Sequence, residues 1–134
     1  EEDASYQAIG GLEGIRQLVD DFYDIMAEAP EFSRMLNMHP ADLTTSRDKL
    51  TLFLSGWLGG PRLFAPKYGP IRIPIAHRHL DLDEADRDAW LVCMYRALEK
   101  REYPQEFKAY LIEQLAVPAE RIRLVSEDRQ RSQK

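Results

Sequence analysis

Between Gly11 and Pro30 the apolar side chains recur at a helical period, and no other feature narrows the possible folds so far. Ile15, Leu18, Val19, Phe22 and Met26 fall on one side of this stretch; Glu13, Arg16, Gln17, Asp20, Asp21 and Asp24 fall on the other. A repeat of three to four residues marks an amphipathic helix, whereas a half-buried strand would alternate in twos. Gly10-Gly11 punctuates the chain ahead of the stretch and Pro30 stops it.

The same reading extends along the chain. Residues 31–37 fit one or two short helical turns that end at His39-Pro40, because proline pushes the residue before it out of the α region. A second long helix is predicted from about Thr44 to Leu58, with Leu50, Phe53, Leu54, Trp57 and Leu58 as its apolar stripe. It stops at Gly59-Gly60-Pro61, where glycine supplies a left-handed end and proline forbids resumption. Residues 61–76 hold Pro61, Pro66, Pro70 and Pro74 and so predict a long ordered loop, the kind of segment that tends to carry function. Asp83 is an N-cap candidate for a helix from about Glu84 to Lys100 that buries Trp90, Leu91, Met94, Ala97 and Leu98. Pro104 suits the first position of a last main helix carrying Phe107, Tyr110, Leu111 and Leu115. One more short amphipathic piece is predicted over 118–125, and the polar end from Ser126 to Lys134 is predicted to fray. No stretch shows strand alternation or internal repetition. The expectation is one all-α domain over residues 1–134, with its core in about 6–117.

Bulk properties remove several functions. A chain of 134 residues suits one domain. A net charge of −5 argues against tracking nucleic-acid phosphates, which calls for a basic face. No apolar run approaches the ~20 residues of a membrane helix, and no secretory pattern opens the chain. Cys93 stands alone, so no internal disulfide can form, and a reducing, cytoplasmic setting is expected. A single cysteine also excludes any Cys-x-x-Cys motif.

Two segments carry a resemblance. Residues 49–61, KLTLFLSGWLGGP, and 86–98, DRDAWLVCMYRAL, resemble the truncated globins of group II, and residues 18–26, LVDDFYDIM, fit that family's first long helix. With His77 at the family's spacing to Trp90, the likeness covers about residues 6 to 117. It implies a shortened globin fold, two helices stacked over two, enclosing non-covalent haem b. Around the iron-binding histidine the chain departs from the usual pattern: Ala76 stands where an arginine is common, and His79-Leu80 where Pro-Phe is common.

The resemblance assigns roles to residues. A globin iron needs one neutral imidazole and a vacant opposite side. The chain has three histidines, His39, His77 and His79. His77 and His79, two apart on a helix, cannot both face one metal, and the family spacing selects His77 as the iron ligand. On the distal side the family places Tyr23 and Trp90 as hydrogen-bond donors to bound dioxygen. His39 would add a third donor, rest on Tyr23, or sit exposed at its corner. Ser46 and Leu50, one helical turn apart, would face the sixth coordination position, with a small Ser46 leaving an open gate. Lys49 and Arg72 are candidate partners for the haem propionates, with Tyr68 as a donor, although each could equally be solvated surface. Phe53, Leu54, Phe64, Ile73 and Met94 would wall the macrocycle, or simply build the core. Cys93 reads as a small buried hydrophobe.

Three functions follow as expectations. The first is binding of O2, and of NO and CO, as carrier or scavenger. The second is redox chemistry, nitric oxide dioxygenation or peroxide handling; it would need a separate reductase because the chain has no flavin or nicotinamide domain. The third, and least favoured, is a haem-free helical interaction module. No residue is assigned a catalytic role, and the expected assembly is a monomer or weak homodimer.

Overall fold

The computed structural model describes residues 4–69 and 82–132, with side chains as far as Leu124. Among these residues the regular structure is entirely helical: α1 (Ala4–Ile9), α2 (Gly11–Glu28), a 3-10 turn (Pro30–Phe32), α3 (Ser33–Asn37), α4 (Thr44–Trp57), α5 (Phe64–Tyr68), α6 (Glu84–Glu99) and α7 (Gln105–Ser132). None of them is long and apolar enough to cross a membrane.

The periodic stripes decide the packing. α2 buries Ile15, Leu18, Val19, Phe22, Tyr23, Ile25 and Met26, and stops one residue before Pro30. It lies along both α4 and α6, and α6 pairs with α7, whereas α4 and α6 scarcely touch each other. The result is two helix pairs stacked face to face. Each pair is antiparallel. In the first, Arg47 at the start of α4 binds Asp20 and Asp24 on α2, and beyond its end the Leu58 carbonyl accepts from the Tyr6 amide at 3.1 Å. In the second, Arg87 meets Glu120 at 2.8 Å and Lys108 meets Glu99 at 3.6 Å.

The helix ends follow local chemistry. After α4 the chain turns through Gly59 at φ 93°, a left-handed conformation that glycine adopts without steric cost. α6 opens with a reciprocal cap: the Asp83 side chain accepts from the Asp86 amide at 2.8 Å, and the Asp86 side chain accepts from the Asp83 amide at 3.0 Å. Asp86 also receives a two-pronged contact from Arg34 of α3.

Three elements differ from expectation. α1 lacks enough length for a periodic signal and is held by tertiary contacts, with Tyr6 against Gly60 and the Tyr103 hydroxyl donating to the Ile9 carbonyl at 2.6 Å. The proline-rich stretch predicted as loop contains α5, five residues long with Pro66 inside. In place of a separate piece over 118–125, α7 continues through Pro118 to Ser132. Pro118 cannot donate to the Gln114 carbonyl, and Gln114 is an exposed residue, the setting in which solvent can stand in for the missing donor. On the same helix Leu111 and Leu115 are buried, while Tyr110 is 49% exposed.

Candidate functional site

The residues expected on the distal side come together on α2 and its neighbours. Tyr23 is buried, and its ring meets Phe22 edge-on at 5.0 Å and His39 edge-on at 5.6 Å. Phe22 in turn packs against Trp90 of α6 at 5.3 Å. Trp90, Phe22, Tyr23 and His39 therefore form one aromatic chain from α6 across α2 to the corner before Pro40.

Polar contacts set what this chain can donate. Burial pushes the Tyr23 phenol up to about 12, with Arg47 pulling it back, so the hydroxyl keeps its proton across the physiological range. That hydroxyl makes no hydrogen bond among the described residues. His39 Nδ1 lies 2.9 Å from the Met35 carbonyl, a contact in which the ring N–H donates. Of the three positions open to His39, the ring thus rests on Tyr23 and is half-buried.

α4 presents two faces. Thr51, Leu54, Ser55 and Leu58 are buried toward the core. Ser46, Leu50, Phe53 and Trp57 follow at i, i+4, i+7 and i+11 and stay half-buried, with Phe53 stacked on Trp57 at 6.4 Å. An apolar helix face left partly uncovered, on a helix that scarcely touches α6, fits a flat hydrophobic group such as a porphyrin. Met94 and Leu54, expected as walls, are fully buried in the core.

α5 docks on α4 through Asp48. The Tyr68 hydroxyl donates to Asp48 at 2.6 Å, and Lys67 meets the same oxygen at 2.7 Å. These two contacts hold the Asp48 carboxyl below the usual carboxylate range. Tyr68 is therefore already committed as a donor. Lys49 is exposed and lies 5.3 Å over the Tyr68 ring, and Phe64 packs on that ring at 5.3 Å. His77, His79, Arg72 and Ile73 lie outside the described residues. Among the described residues no group of three His, Cys, Asp or Glu side chains could hold a metal ion.

Sequence reasoning missed three contributors. Phe22 links Tyr23 to Trp90, although its apolar position alone marked it only as core. Arg47 lies 5.7 Å over the Tyr23 ring, and Asp48 organises α5. The one available signal for Arg47 was the acidic pair Asp20 and Asp24, one turn apart on α2. Cys93 is buried as expected, and its thiol donates to the Phe22 carbonyl at 3.3 Å.

Comparison with known proteins decides the family. The model of the bacterial-like globin family matches residues 4–123. Over 116 residues, 87% of this chain and 85% of the relative, the sequence is 34% identical to the group 2 truncated hemoglobin YjbI of Bacillus subtilis. The chain belongs to the group II truncated haemoglobins. This globin also superposes on solved members. A cold-adapted truncated hemoglobin from Pseudoalteromonas haloplanktis shares 32% identity at a TM-score of 0.83, covering 88% of this chain and 95% of that one. The truncated oxygen-avid haemoglobin of Bacillus subtilis shares 33% identity at a TM-score of 0.79, covering 89% and 98%. The two helix pairs of this globin are thus the two-over-two sandwich that the sequence resemblance implied, and membership implies haem binding and a gaseous ligand such as O2.

Proposed function

We propose that this globin holds haem b through His77 and retains O2, with NO and CO as further ligands, by hydrogen bonds from Tyr23 and Trp90. When bound, the haem supplies the iron position at which a diatomic gas coordinates. The observation that carries the reading is the Tyr23 hydroxyl: carried on a buried ring, protonated at neutral pH, itself still accessible, and without a hydrogen-bond partner among the described residues. Because no protein group claims this donor and it is not sealed off, an acceptor arriving with the ligand can take it without breaking an existing protein hydrogen bond. Trp90, joined to Tyr23 through Phe22, offers an indole N–H that only donates.

The remaining residues serve placement. Leu50, Phe53, Phe64 and Ile73 supply apolar cover, with Ser46 beside the ligand position, while Leu54 and Met94 pack the core behind them. Lys49 and Arg72 are the cations for the propionates. Tyr68 contributes its ring, because its hydroxyl is spent on Asp48. Buried Cys93, with its thiol turned to the Phe22 carbonyl, is not placed for a thioether, which favours non-covalent haem. Two strong donors suit retention of O2 more than its delivery, in keeping with the oxygen-avid Bacillus subtilis relative. Any turnover of the held gas draws its electrons from a separate reductase.

The test is stopped-flow oxygen release from the haem-loaded protein. Tyr23→Phe and Trp90→Phe should each raise the dissociation rate by about tenfold or more, the effect of losing a charge-assisted hydrogen bond. Unchanged rates in both variants overturn the distal assignment. Loss of the Soret band in His77→Ala checks the iron ligand.

A further inference from the structure

α7 carries a stripe that its own fold leaves uncovered. Tyr110, Val117 and Leu124 are 49%, 49% and 43% exposed and follow one another at seven-residue intervals, so they form a single line along the helix. The line extends for about 21 Å at 1.5 Å per residue. Large apolar residues exposed singly are ordinary; here three recur on one line of one helix, with Glu113 and Gln114, then Glu120 and Arg121, between them, which makes a mixed contact line and not an apolar patch. α6 runs antiparallel to α7 in the register set by Arg87–Glu120 and Lys108–Glu99. That register puts exposed Val92 and Tyr95 level with the stretch between Tyr110 and Val117.

The charges beside the row say what covers it. Glu113 stands four residues before Val117 and Arg121 four residues after, on opposite flanks of the stripe. Both are exposed, and neither has an ion-pair partner among the described residues. Nearby, Arg87, Lys108 and Arg123 all engage carboxylates. A two-fold axis through Val117 reverses the helix onto itself. It sets Val117 against Val117 and brings Glu113 level with Arg121 in both directions, with Tyr110 and Leu124 at the outer ends of the contact. Helices in globular proteins cross at an angle, commonly near 50°, and such a crossing allows flanking charges on opposite sides of the stripe to meet.

We propose that the occupant of this face is a second copy of the same chain, docked α7 on α7 in a crossed antiparallel pair centred on Val117. Self-complementarity about one residue is what an isologous interface requires, and a partner of unrelated sequence would not call for it.

Sedimentation velocity on the haem-loaded full chain, over micromolar to millimolar concentrations, tests the pairing. The wild type should show a concentration-dependent monomer–dimer equilibrium. Val117→Asp, which sets two carboxylates face to face on the axis, should raise the dissociation constant by about tenfold or more. Glu113→Arg and Arg121→Glu should each weaken the dimer, and the double swap should restore it. Val117→Cys should cross-link two chains under mild oxidation, whereas Ala109→Cys should not. Because these positions are exposed, far-UV circular dichroism and the Soret spectrum should stay those of the wild type. A chain that remains monomeric throughout the range overturns the proposal, leaving the stripe to a different partner. So does a dimer that survives Val117→Asp, or a double swap no tighter than the single reversals.

Discussion

The guanidinium of Arg47 lies 5.7 Å over the ring of Tyr23, held there by Asp20 and Asp24 from the outer face of α2. One side chain thus fastens α4 to α2 and places a positive charge beside the phenol. The charge opposes the effect of burial on the hydroxyl and makes it a better donor.

Replacing Arg47 with Met should lower stability by about 1–2 kcal/mol, since two partly exposed ion pairs and a ring contact are lost. Urea denaturation measures this. Oxygen release should quicken too, by less than in Tyr23→Phe. In a Tyr23→Phe background the Arg47 substitution should leave the release rate unchanged, because its influence runs through the phenol.

Alkaline pH should destabilise the fold in a defined window. Burial pushes the Cys93 thiol from an ordinary 9.0 up to about 12, and the Tyr23 phenol from 10.0 up to about 12. Between those limits the unfolded chain has released protons that the folded chain retains, so raising the pH favours unfolding. Stability from these groups is complete below pH 9 and is lost as the pH rises through about 12. Urea midpoints at pH 7, 9, 10 and 11 should fall progressively. Cys93→Ala should flatten the early part of that decline while costing about 1–2 kcal/mol at pH 7.

The long helices could be read from the chain because their signals are local. Pro30, the Gly59-Gly60-Pro61 run and Asp83 mark ends that the structure places within a residue or two of expectation. α1 and α5, of six and five residues, lack length for a period and depend on contacts with distant segments. Pro118 reads as a breaker in any local scheme, yet the helix runs through it, with the residue that loses its donor, Gln114, on the exposed side. At the site, Tyr23, Trp90 and His39 were reachable through the family likeness. The role of Arg47 was not, since it depends on residues 23 and 27 positions away that only the packing of α2 on α4 brings near.

The cap of α6 gives a graded pair of expectations. Asp83→Ala should cost about 1 kcal/mol by removing one half of the reciprocal cap. Asp86→Ala should cost more, because the same carboxylate also receives Arg34 from α3 at 2.8 and 3.0 Å. Thermal unfolding followed by circular dichroism would order the two variants.

Gly14 lies where α2 passes the end of α1. A Cβ built there would stand 2.0 Å from the Ile9 carbonyl oxygen, a backbone atom with no rotamer to escape into. Gly14→Ala should therefore destabilise by about 1–3 kcal/mol despite alanine's higher helix propensity, as a urea titration would register.

The short opening helix works as a clasp between the two halves of the molecule. Its Tyr6 amide is tied to the carbonyl of Leu58 at the end of α4, while its last carbonyl, that of Ile9, receives the hydroxyl of Tyr103 just ahead of α7. Cutting the chain after Ile9 would free the far ends of both helix pairs in one stroke. A proteolytic nick there would be felt in the packing of both pairs at once.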